Sequence, residues 1–499
     1  MKKIEDFKEY LKKISYLGNI RGLVSWDLET KAPENAIESR SKSMAAISEL
    51  IFNMTVSKEM EEFINYFSSE EIFNTLSEED KKLVKLEKKE FEKSKKLPVD
   101  YIMRMAEATS RAQPAWAEAR KKSDFAIFQP HLEKLLGLAK EYTEYIGYNE
   151  NKYDVFLDEF EPGMKTEDVK KTIETLKNEL VPFIQKILDS QNKPNKSLLH
   201  GNFEKSKQEE LSYKVLKAMN YDFNSGRLDE AAHPFTLRVS PGDVRITTRY
   251  REDDFTDSLY STVHEAGHAL YELGLPEKFN ELALCSAASY AVHESQSRFW
   301  ENLVGRNFSF LKFLYSDIKD LFPKYKDISL EEFYKAINFV DRTPIRVDAD
   351  EVTYNLHIML RFEIEEALIN DRIKVEDLPK VWNEKMKEYV GYEPKNDAEG
   401  VLQDVHWSHG SFGYFPSYMI GNLISAQLYY KMLEDIPNFE ELLEKGETKP
   451  MLDWMRKNVH QEGKLLEPQD LVKKITGNNI DSSCFVKYVK EKYSKIYEI

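Results

Sequence analysis

The sequence has 499 residues, of which 41% are hydrophobic and 32% charged, and its formal net charge is −16 at pH 7. Such a negative charge disfavours binding to nucleic acid, because a phosphate backbone is held by clustered lysine and arginine. The aromatic content of 12% argues against a disordered chain, and no apolar run is long enough to span a membrane.

The N-terminal residues and the cysteines bear on where the protein resides. Lysines and acids interrupt every apolar stretch near the N-terminus, so the sequence predicts no secretory signal there. The two cysteines, Cys285 and Cys484, lie far apart and form no CxxC pair. A disulfide framework is therefore not expected, the thiols are expected to be buried as small apolar groups, and a reducing cytoplasm is the simplest location.

Most of the chain has the apolar spacing of amphipathic helices. In the clearest case, apolar residues recur every three or four positions from Thr166, where a Thr-Glu-Asp start signal opens the run. Helices are predicted at residues 5–15, 166–190, 329–340, 350–368, 375–390 and 482–497. With no internal repeat and no low-complexity linker, we expect a single helical domain over 1–499, with two helical lobes beside a groove as the other possibility.

A single segment favours β-structure. Residues 235–250 carry β-branched side chains on both sides of Pro241-Gly242, which is the pattern of a hairpin. The segment ends shortly before the motif with the strongest chemical signal. The sequence therefore predicts a mainly α fold with a very small sheet next to the candidate site.

That motif is HEAGH at residues 264–268, inside a helical stretch from 257 to 273. Residues four apart share a helix face, so His264 and His268 can bind one ion, and zinc is commonly held by such imidazoles with a position left open for water. Glu265 lies at the edge of that face, where its carboxylate can take a proton from the water. Gly267 costs about 1 kcal/mol in a helix relative to alanine, which predicts that another backbone packs closely there.

A catalytic zinc of this type requires a third protein ligand. The next predicted helical stretch, residues 280–304, contains Glu294 at an offset that suits delivery from an antiparallel neighbouring helix. His293 is the alternative ligand, and a surface or ion-paired role for Glu294 is the non-functional interpretation. Two histidines and one glutamate would match a known arrangement of zinc peptidases.

Several segments in the same order resemble the thermostable carboxypeptidase Taq family of metallocarboxypeptidases. They extend from near residue 25 to near residue 420. The matching segments are SWD at 25–27, HPF at 233–235, DVRIT at 243–247, HEAGH at 264–268, HESQ at 293–296, IRVDAD at 345–350 and GVLQDVHW at 400–407.

The resemblance implies an almost wholly helical fold with a deep active-site groove and a very small sheet. It also implies removal of single amino acids from peptide C-termini with broad side-chain tolerance. Zinc or sometimes cobalt as the cofactor, a cytoplasmic location and a homodimer are further implications. Peptides with a free C-terminus are the expected partners, and neither nucleic acid nor a membrane is expected.

The resemblance also suggests residues that hold the substrate. A guanidinium can bind a terminal carboxylate through two parallel hydrogen bonds, which makes Arg346 the first candidate anchor. A structural salt bridge from Arg346 to Asp348 or Asp350 is the alternative. Arg245, in the predicted hairpin, would restrict the far end of the groove, and an edge strand there could pair with an extended substrate. His233, Asp350 and Gln403 complete the expected substrate-binding set.

Oxyanion stabilisation is expected from the segment that follows Gln403. His406 stands in the position of a transition-state donor, and a core histidine bonded to Asp404 is its alternative. Trp407 is expected to pack rather than react. Tyr418 is preferred over Tyr414 as a phenol donor to the oxyanion.

Together these residues predict a zinc metallocarboxypeptidase that uses Glu265 as the general base. An endopeptidase or dipeptide-releasing enzyme with the same metal core is the first alternative, and the need for a free carboxylate separates the two. A peptide-binding protein with an inactive metal site is the second alternative. The intact Glu265 disfavours it, since a purely structural site needs no general base.

Overall fold

Helices make up most of the chain in the computed structural model, which describes residues 2–499. The first ten precede the sheet. They are α1 (Ile4–Thr30), α2 (Ile37–Thr55), α3 (Lys58–Phe67), α4 (Glu70–Phe73), α5 (Glu78–Lys96), α6 (Val99–Lys122), α7 (Phe125–Ile146), α8 (Tyr153–Phe160), α9 (Thr166–Asp189) and α10 (Lys205–Ala218).

The remaining helices follow the sheet and carry most of the candidate site. They are α11 (Phe255–Glu272), α12 (Tyr290–Arg298), α13 (Phe308–Leu321), α14 (Leu330–Ile337), α15 (Tyr354–Ile369), α16 (Leu378–Tyr389), α17 (Phe415–Asp435), α18 (Phe439–Glu444), α19 (Lys449–Asn458), α20 (Pro468–Thr476) and α21 (Ser483–Tyr497). None of the helices within residues 2–499 has the length and hydropathy of a membrane span.

The sheet has three short strands, β1 (Leu228–Glu230), β2 (Thr236–Ser240) and β3 (Asp243–Thr248), in the order β1-β3-β2. β2 and β3 form the predicted hairpin, and Gly242 in its turn has a φ of +78°, a conformation that glycine adopts without strain. β1 pairs in parallel with β3 and was not predicted, because three residues are too short to show an alternating pattern.

The predicted helices are confirmed where apolar spacing is strongest. In α9 the recurring apolar residues are all buried, and they are Val169, Ile173, Leu176, Leu180 and Ile184. Burying each such side chain contributes about 1.5–3 kcal/mol, which stabilises the helix through packing rather than through intrinsic propensity. The prediction of a mainly α fold with a very small sheet is therefore confirmed, whereas the single-domain organisation stays a prediction.

Two predicted helices begin later than expected. α15 begins at Tyr354 rather than at Asp350, because the Asp350 carboxylate accepts hydrogen bonds from the backbone N–H groups of Val352 and Thr353 and so caps the segment before the helix. The predicted helical stretch at 280–304 is wrong at its start, whereas its end near Val304 is confirmed. α12 begins only at Tyr290, and a π-helix at Phe299–Gly305 follows it.

The late start of α12 has a physical cause. The backbone carbonyl of Cys285 accepts a hydrogen bond from Arg238 on β2 rather than from a helical N–H. Ser289 then caps α12 by accepting from the Val292 N–H. Of the two thiols, Cys285 is buried as expected, whereas Cys484 is only half-buried.

Candidate active site

Helix α11 aligns the two histidines of the HEAGH motif. Asp254 caps the helix by accepting from the Thr256 N–H, and the helix then continues without interruption through Glu272. His264 and His268 lie on one face with their ring centroids 4.9 Å apart. The four-residue spacing has therefore placed both imidazoles where they can share one ligand.

Glu294 on α12 reaches the same point from the opposite side. Its Oε2 lies 3.3 Å from His268 Nε2 and 3.6 Å from His264 Nε2. The three potential ligand atoms are all within 4.8 Å of one another. The structure thus brings together the three residues that the sequence predicts as metal ligands.

His293, the alternative third ligand, lies outside this group. Its ring stacks on His268 with centroids 4.4 Å apart, while its Nε2 lies 2.9 Å from Glu272 Oε1. Glu272 also lies 3.5 Å from Arg238 on β2. His293 therefore supports the position of the His268 ring and is itself held by a carboxylate.

Two glycines let α12 approach its neighbours closely. A Cβ at Gly267 on α11 would lie 2.6 Å from the Cα of Ser297, and a Cβ at Gly421 on α17 would lie 2.7 Å from the Cγ of Glu294. Both distances are too short for any other residue. The predicted close backbone contact at Gly267 is confirmed, and α12 is held between two helices at the level of Glu294.

The donor set of this cluster fits a divalent metal ion. Burial lowers the pKa of His268 to about 3, so its imidazole is neutral and has a lone pair to offer. Burial acts to raise the pKa of Glu294, but Arg298 and His264 outweigh it and hold that pKa well below the ordinary value. Neutral imidazole and ionised carboxylate are the ligands that zinc takes in catalytic sites, and these residues therefore fit the ion that the motif predicts.

Glu301 was not predicted and is the main partner of His264. The Nδ1 of His264 lies 2.9 Å from Glu301 Oε2, while Arg298 and Arg306 donate to the two Glu301 oxygens at 3.2 and 3.4 Å. Burial disfavours the charge on Glu301, but Arg298 and His264 outweigh it and lower the pKa to about 2. The carboxylate therefore stays ionised and fixes which nitrogen of His264 faces the cluster.

Glu301 belongs to the π-helix at Phe299–Gly305. Such segments are rare and often occur at functional sites. The sequence contains only a weak signal for this residue, since Glu301 follows Glu294 by two helical turns. That signal does not distinguish a buried partner from a surface acid.

Glu265, the predicted general base, is buried next to the ligands. The hydroxyl of Thr236 on β2 lies 2.6 Å from its Oε2 and fixes its orientation. Burial raises the pKa of Glu265, which strengthens the carboxylate as a proton acceptor. Thr236 was not predicted, and its hydrogen bond links the small sheet to α11 at Glu265.

Arg346, the predicted carboxylate anchor, forms an ion pair with Asp404, which was considered only as a partner of His406. Its Nε and Nη2 lie 2.9 and 2.8 Å from Asp404 Oδ1, and its Nη1 donates to the Tyr354 hydroxyl at 2.9 Å. The predicted alternative, a salt bridge to Asp348 or Asp350, is therefore wrong. Each terminal nitrogen carries two N–H groups, so one on each remains for a ligand.

A second buried guanidinium shares the same carboxylate. Arg361 has no exposed surface, and its Nε donates to Asp404 Oδ2 at 2.7 Å. Burial acts to raise the pKa of Asp404, but Arg346 and Arg361 outweigh it and hold that pKa well below the ordinary value. Two guanidinium groups face one carboxylate, so this guanidinium cluster (Arg346, Arg361 and Asp404) carries a net positive charge.

Gln403 positions the guanidinium cluster. Its Oε1 accepts from the Arg346 N–H at 2.9 Å and from Arg361 Nη2 at 2.8 Å, and its Nε2 donates to the carbonyls of Pro344 and Glu399. Every polar atom of the side chain is thereby engaged with protein. A direct contact of Gln403 with substrate stays a prediction, and the geometry favours support of Arg346.

His406 and Tyr418 lie next to one another at the start of α17. The Tyr418 hydroxyl is 3.4 Å from His406 Nε2, whereas His406 Nδ1 is 4.0 Å from Asp404, too far for a hydrogen bond. The alternative of a core histidine bonded to Asp404 is therefore not what the structure shows. Burial lowers the pKa of His406 to about 4, so the ring is neutral at physiological pH. Tyr414 lies beside both rings, 5.5 Å from His406 and 5.1 Å from Tyr418.

Trp407 is buried, and its indole N–H donates to Glu365 Oε1 at 2.7 Å. Glu365 also accepts from the Gly413 N–H and from the Tyr153 hydroxyl. The loop that carries His406 is thus tied to α15 through one buried carboxylate. This contact agrees with the packing role expected for Trp407.

The three remaining residues that were predicted to bind substrate are Arg245, His233 and Asp350, and each has a different environment. Arg245 lies on the central strand β3, where it pairs with both oxygens of Asp243 at 2.8 and 2.7 Å and faces the Trp26 ring. His233 is exposed in the loop before β2. The Asp350 carboxylate accepts four hydrogen bonds from neighbouring residues, which favours a structural role. Substrate contacts of these three residues stay predictions.

Comparisons with known proteins agree over nearly the whole chain. A family model described as carboxypeptidase Taq (M32) metallopeptidase matches residues 6–493. Carboxypeptidase 1 of Bacillus subtilis is 44% identical over 494 residues, which cover 99% of this chain and 98% of that protein. Thermostable carboxypeptidase 1 of Pyrococcus furiosus is 40% identical, and the match covers 98% of both chains.

Solved structures give the same result for the fold. The crystal structure of M32 carboxypeptidase from Deinococcus radiodurans R1 superposes with a TM-score of 0.96 at 34% identity, and the match covers 99% of both chains. A Pyrococcus furiosus carboxypeptidase structure superposes with a TM-score of 0.95 at 38% identity, again over 99% of both chains.

Proposed function

The chain belongs to the carboxypeptidase Taq (M32) family and is a metallocarboxypeptidase, and on that premise we propose how its residues divide the reaction. The enzyme removes single amino acids from the C-terminus of peptides with broad side-chain tolerance. His264, His268 and Glu294 hold a zinc ion, or cobalt in its place. The observation that carries the proposal is the convergence of these three ligand atoms beside the buried carboxylate of Glu265. When bound, the ion polarises the scissile carbonyl and increases the acidity of the attacking water.

Glu265 is the general base. It takes a proton from the attacking water and later passes that proton to the leaving amine. Two observations support this role, namely the raised pKa that burial gives the carboxylate and the hydrogen bond from Thr236 that fixes its orientation. A carboxylate held in place before substrate arrives needs little rearrangement to accept the proton.

His406 and Tyr418 donate hydrogen bonds to the oxyanion that develops as water attacks. A neutral imidazole carries one N–H and a phenol one O–H, and both groups lie side by side 3.4 Å apart. Donors placed in advance in a water-poor site stabilise the transition state more than they stabilise the substrate. Tyr418 is preferred to Tyr414 because its hydroxyl is the one in contact with His406.

Arg346 binds the terminal carboxylate of the substrate. Two observations support this proposal. The guanidinium cluster has excess positive charge, and Arg346 has N–H groups that are not bonded to Asp404 or Tyr354. A carboxylate bound there would be stabilised by the opposite charge and by paired hydrogen bonds. An enzyme that requires this contact cuts next to the terminal residue and nowhere else.

One N-blocked peptide, prepared as the free acid and as the C-terminal amide, tests the proposal. Each form is incubated with the protein, with and without chelator, and the products are read by mass spectrometry. We expect stepwise loss of single residues from the free acid alone, abolished by chelator and restored by zinc or cobalt. Equal internal cleavage of both forms would remove Arg346 from its role, and release of dipeptides would favour the dipeptide-releasing alternative. No chelator-sensitive cleavage by protein shown to carry metal would favour a peptide-binding protein instead.

We also propose a cytoplasmic location and a homodimer. The free thiols of Cys285 and Cys484 agree with a reducing compartment. Helix α2 buries none of its side chains and exposes Ile37, Leu50 and Phe52, which a second copy could cover. Light scattering after size-exclusion chromatography measures the mass directly. A mass near 58.5 kDa would exclude the dimer.

A further inference from the structure

Three aromatic rings meet beside the candidate site. Phe160 at the end of α8, Tyr290 at the start of α12 and Tyr414 just before α17 pack edge to face, with centroid separations of 5.1, 5.2 and 5.6 Å. We refer to these residues as the aromatic triad. Tyr290 is 51% exposed although the next residues, Ala291 and Val292, are buried. A large ring held by two aromatic partners and open to solvent offers an apolar surface to a ligand.

Helix α12 sets the distance between the aromatic triad and the metal ligands. Tyr290 precedes Glu294 by four residues, so the two side chains share a helix face and their Cα atoms are about 6 Å apart along the axis. Arg298 follows Glu294 by the same interval, and its guanidinium lies over the Tyr354 ring at 4.5 Å. Tyr354 in turn holds Arg346. One face of α12 therefore presents the aromatic triad, the metal ligand and the support of the carboxylate anchor in that order.

A buried carboxylate holds the aromatic triad in place. Glu161 follows Phe160, has no exposed surface, and accepts from the Ala291 N–H at 2.6 Å and from the Ser417 hydroxyl at 2.7 Å. It thus ties the start of α12, next to Tyr290, to the start of α17, near Tyr414. A site fixed by such a contact is rigid before a ligand arrives.

We propose that the aromatic triad is the subsite for the side chain on the acyl side of the scissile bond, and that it selects aromatic or large aliphatic residues there. The inference rests on the proposed function, because Arg346 marks the side taken by the terminal residue. The scissile bond lies at the ligands, so the peptide continues past Glu294 toward Tyr290. The penultimate residue of the substrate becomes the new C-terminus and is the one whose side chain meets the aromatic triad.

The test uses N-blocked peptides with a constant C-terminal leucine and phenylalanine, leucine or glycine in the penultimate position. With metal-loaded wild-type protein we expect kcat/KM to be about ten-fold higher, or more, for phenylalanine and leucine than for glycine, as burial of one such side chain implies. Tyr290→Ala should lose this preference, so that the ratio of kcat/KM for the phenylalanine peptide to that for the glycine peptide falls to near one. Tyr290→Phe should retain the preference, because the ring and not the hydroxyl makes the contact.

Tyr213→Ala is the matched control, since Tyr213 is 43% exposed and also packs against one aromatic ring, that of Phe223. It should leave the penultimate preference unchanged. Equal rates for all three peptides in the wild type would overturn the proposal. So would a Tyr290→Ala variant that alters selectivity for the terminal residue instead. Failure of the metal-loaded wild type to hydrolyse any free-acid peptide would overturn the proposed function itself and the subsite with it.

Discussion

Two buried charged clusters of the molecule are unbalanced in opposite directions. The ligand cluster on α11 and α12 gathers the carboxylates of Glu265, Glu294 and Glu301, and its cations are the guanidinium groups of Arg298 and Arg306. Both histidines must be neutral to bind a metal, and in that state the cluster carries net negative charge. The guanidinium cluster places Arg346 and Arg361 on the single carboxylate of Asp404 and carries net positive charge.

The contrast indicates what each cluster binds. An unbalanced buried charge is costly, so a fold keeps one where a ligand supplies the missing charge. The ligand cluster lacks a cation, and the guanidinium cluster lacks an anion. Under the proposed function, a metal ion would supply the missing cation and the terminal carboxylate of the substrate would supply the missing anion.

Replacing the general base should have the largest effect. Glu265→Gln removes a proton acceptor without changing its shape or the three ligands, so kcat should fall by about 10²–10⁴-fold. Metal content, measured by mass spectrometry of the purified protein, should stay the same. A lower kcat with unchanged metal content would show that Glu265 acts as the base and not as a metal ligand. Activity within ten-fold of wild type would show that another group takes the proton.

Removing the anchor should affect the positive cluster alone. Arg346→Ala leaves Asp404 paired with Arg361 and removes hydrogen bonds to a charged group, so kcat/KM for free-acid peptides should fall by about 10–100-fold through KM. Arg346→Lys keeps the charge but lacks the planar guanidinium. Its kcat/KM should lie between the values of the wild type and of Arg346→Ala.

Arg251→Ala is the control for this variant, because Arg251 forms an exposed ion pair with Asp253. It should leave both kinetic constants unchanged. If Arg346→Ala lowers the melting temperature but leaves KM unaltered, the residue stabilises the fold and does not hold the substrate. The guanidinium cluster would then not be the binding site of the substrate carboxylate.

Neutralising the partner of His264 should weaken the metal site. Glu301→Gln keeps the size of the side chain but removes its charge, and zinc affinity should fall by about 10–100-fold. Competition with a chromophoric chelator measures it without reference to activity. Glu331→Gln, an exposed residue paired with Lys335, should leave the affinity unchanged. Equal affinities in all three proteins would contradict the role given to Glu301.

Glu161 differs from both clusters because it is a buried carboxyl with no cation beside it, and its replacement should change stability rather than catalysis. Burial raises its pKa to about 7, above the ordinary value of about 4.3 in an unfolded chain. Its stabilising contribution is complete below the unfolded pKa and is lost as pH rises through about 7. Between about pH 4.5 and pH 7, Glu161→Gln should therefore gain stability relative to wild type by about 3 kcal/mol. Chemical denaturation at several pH values measures this, and parallel pH profiles would contradict it.

The two clusters also differ in how far the sequence could predict them. His264, Glu265 and His268 were found from the HExxH spacing within one helix, whereas Glu294 on the next helix was found by adding the known arrangement of two histidines and one glutamate. Asp404 lies 58 residues from Arg346, whereas the predicted partners, Asp348 and Asp350, were the nearest in sequence. Tertiary packing between segments far apart in sequence determines such ion pairs, and the periodicity of the sequence does not reveal these contacts.

Glu301 and Glu161 show two further limits of sequence reasoning. Glu301 lies on a π-helix, for which no periodic pattern was available, and the stretch around it was predicted as ordinary helix. Glu161 is one acid among many in an acidic chain, and its importance depends on two helix starts that meet only in the folded protein. The fold class and the small hairpin, by contrast, follow from local patterns and were predicted correctly.

The π-helix after α12 makes the site sensitive to the number of residues as well as to their identity. A π-helical turn contains more residues than an α-helical turn. Deleting one residue of this segment other than Glu301 would therefore let the segment relax into a regular α-helix. That relaxation would change the direction of the Glu301 side chain around the helix axis and disturb its contact with His264. A change that makes the helix more regular would thus take away the partner of a metal ligand.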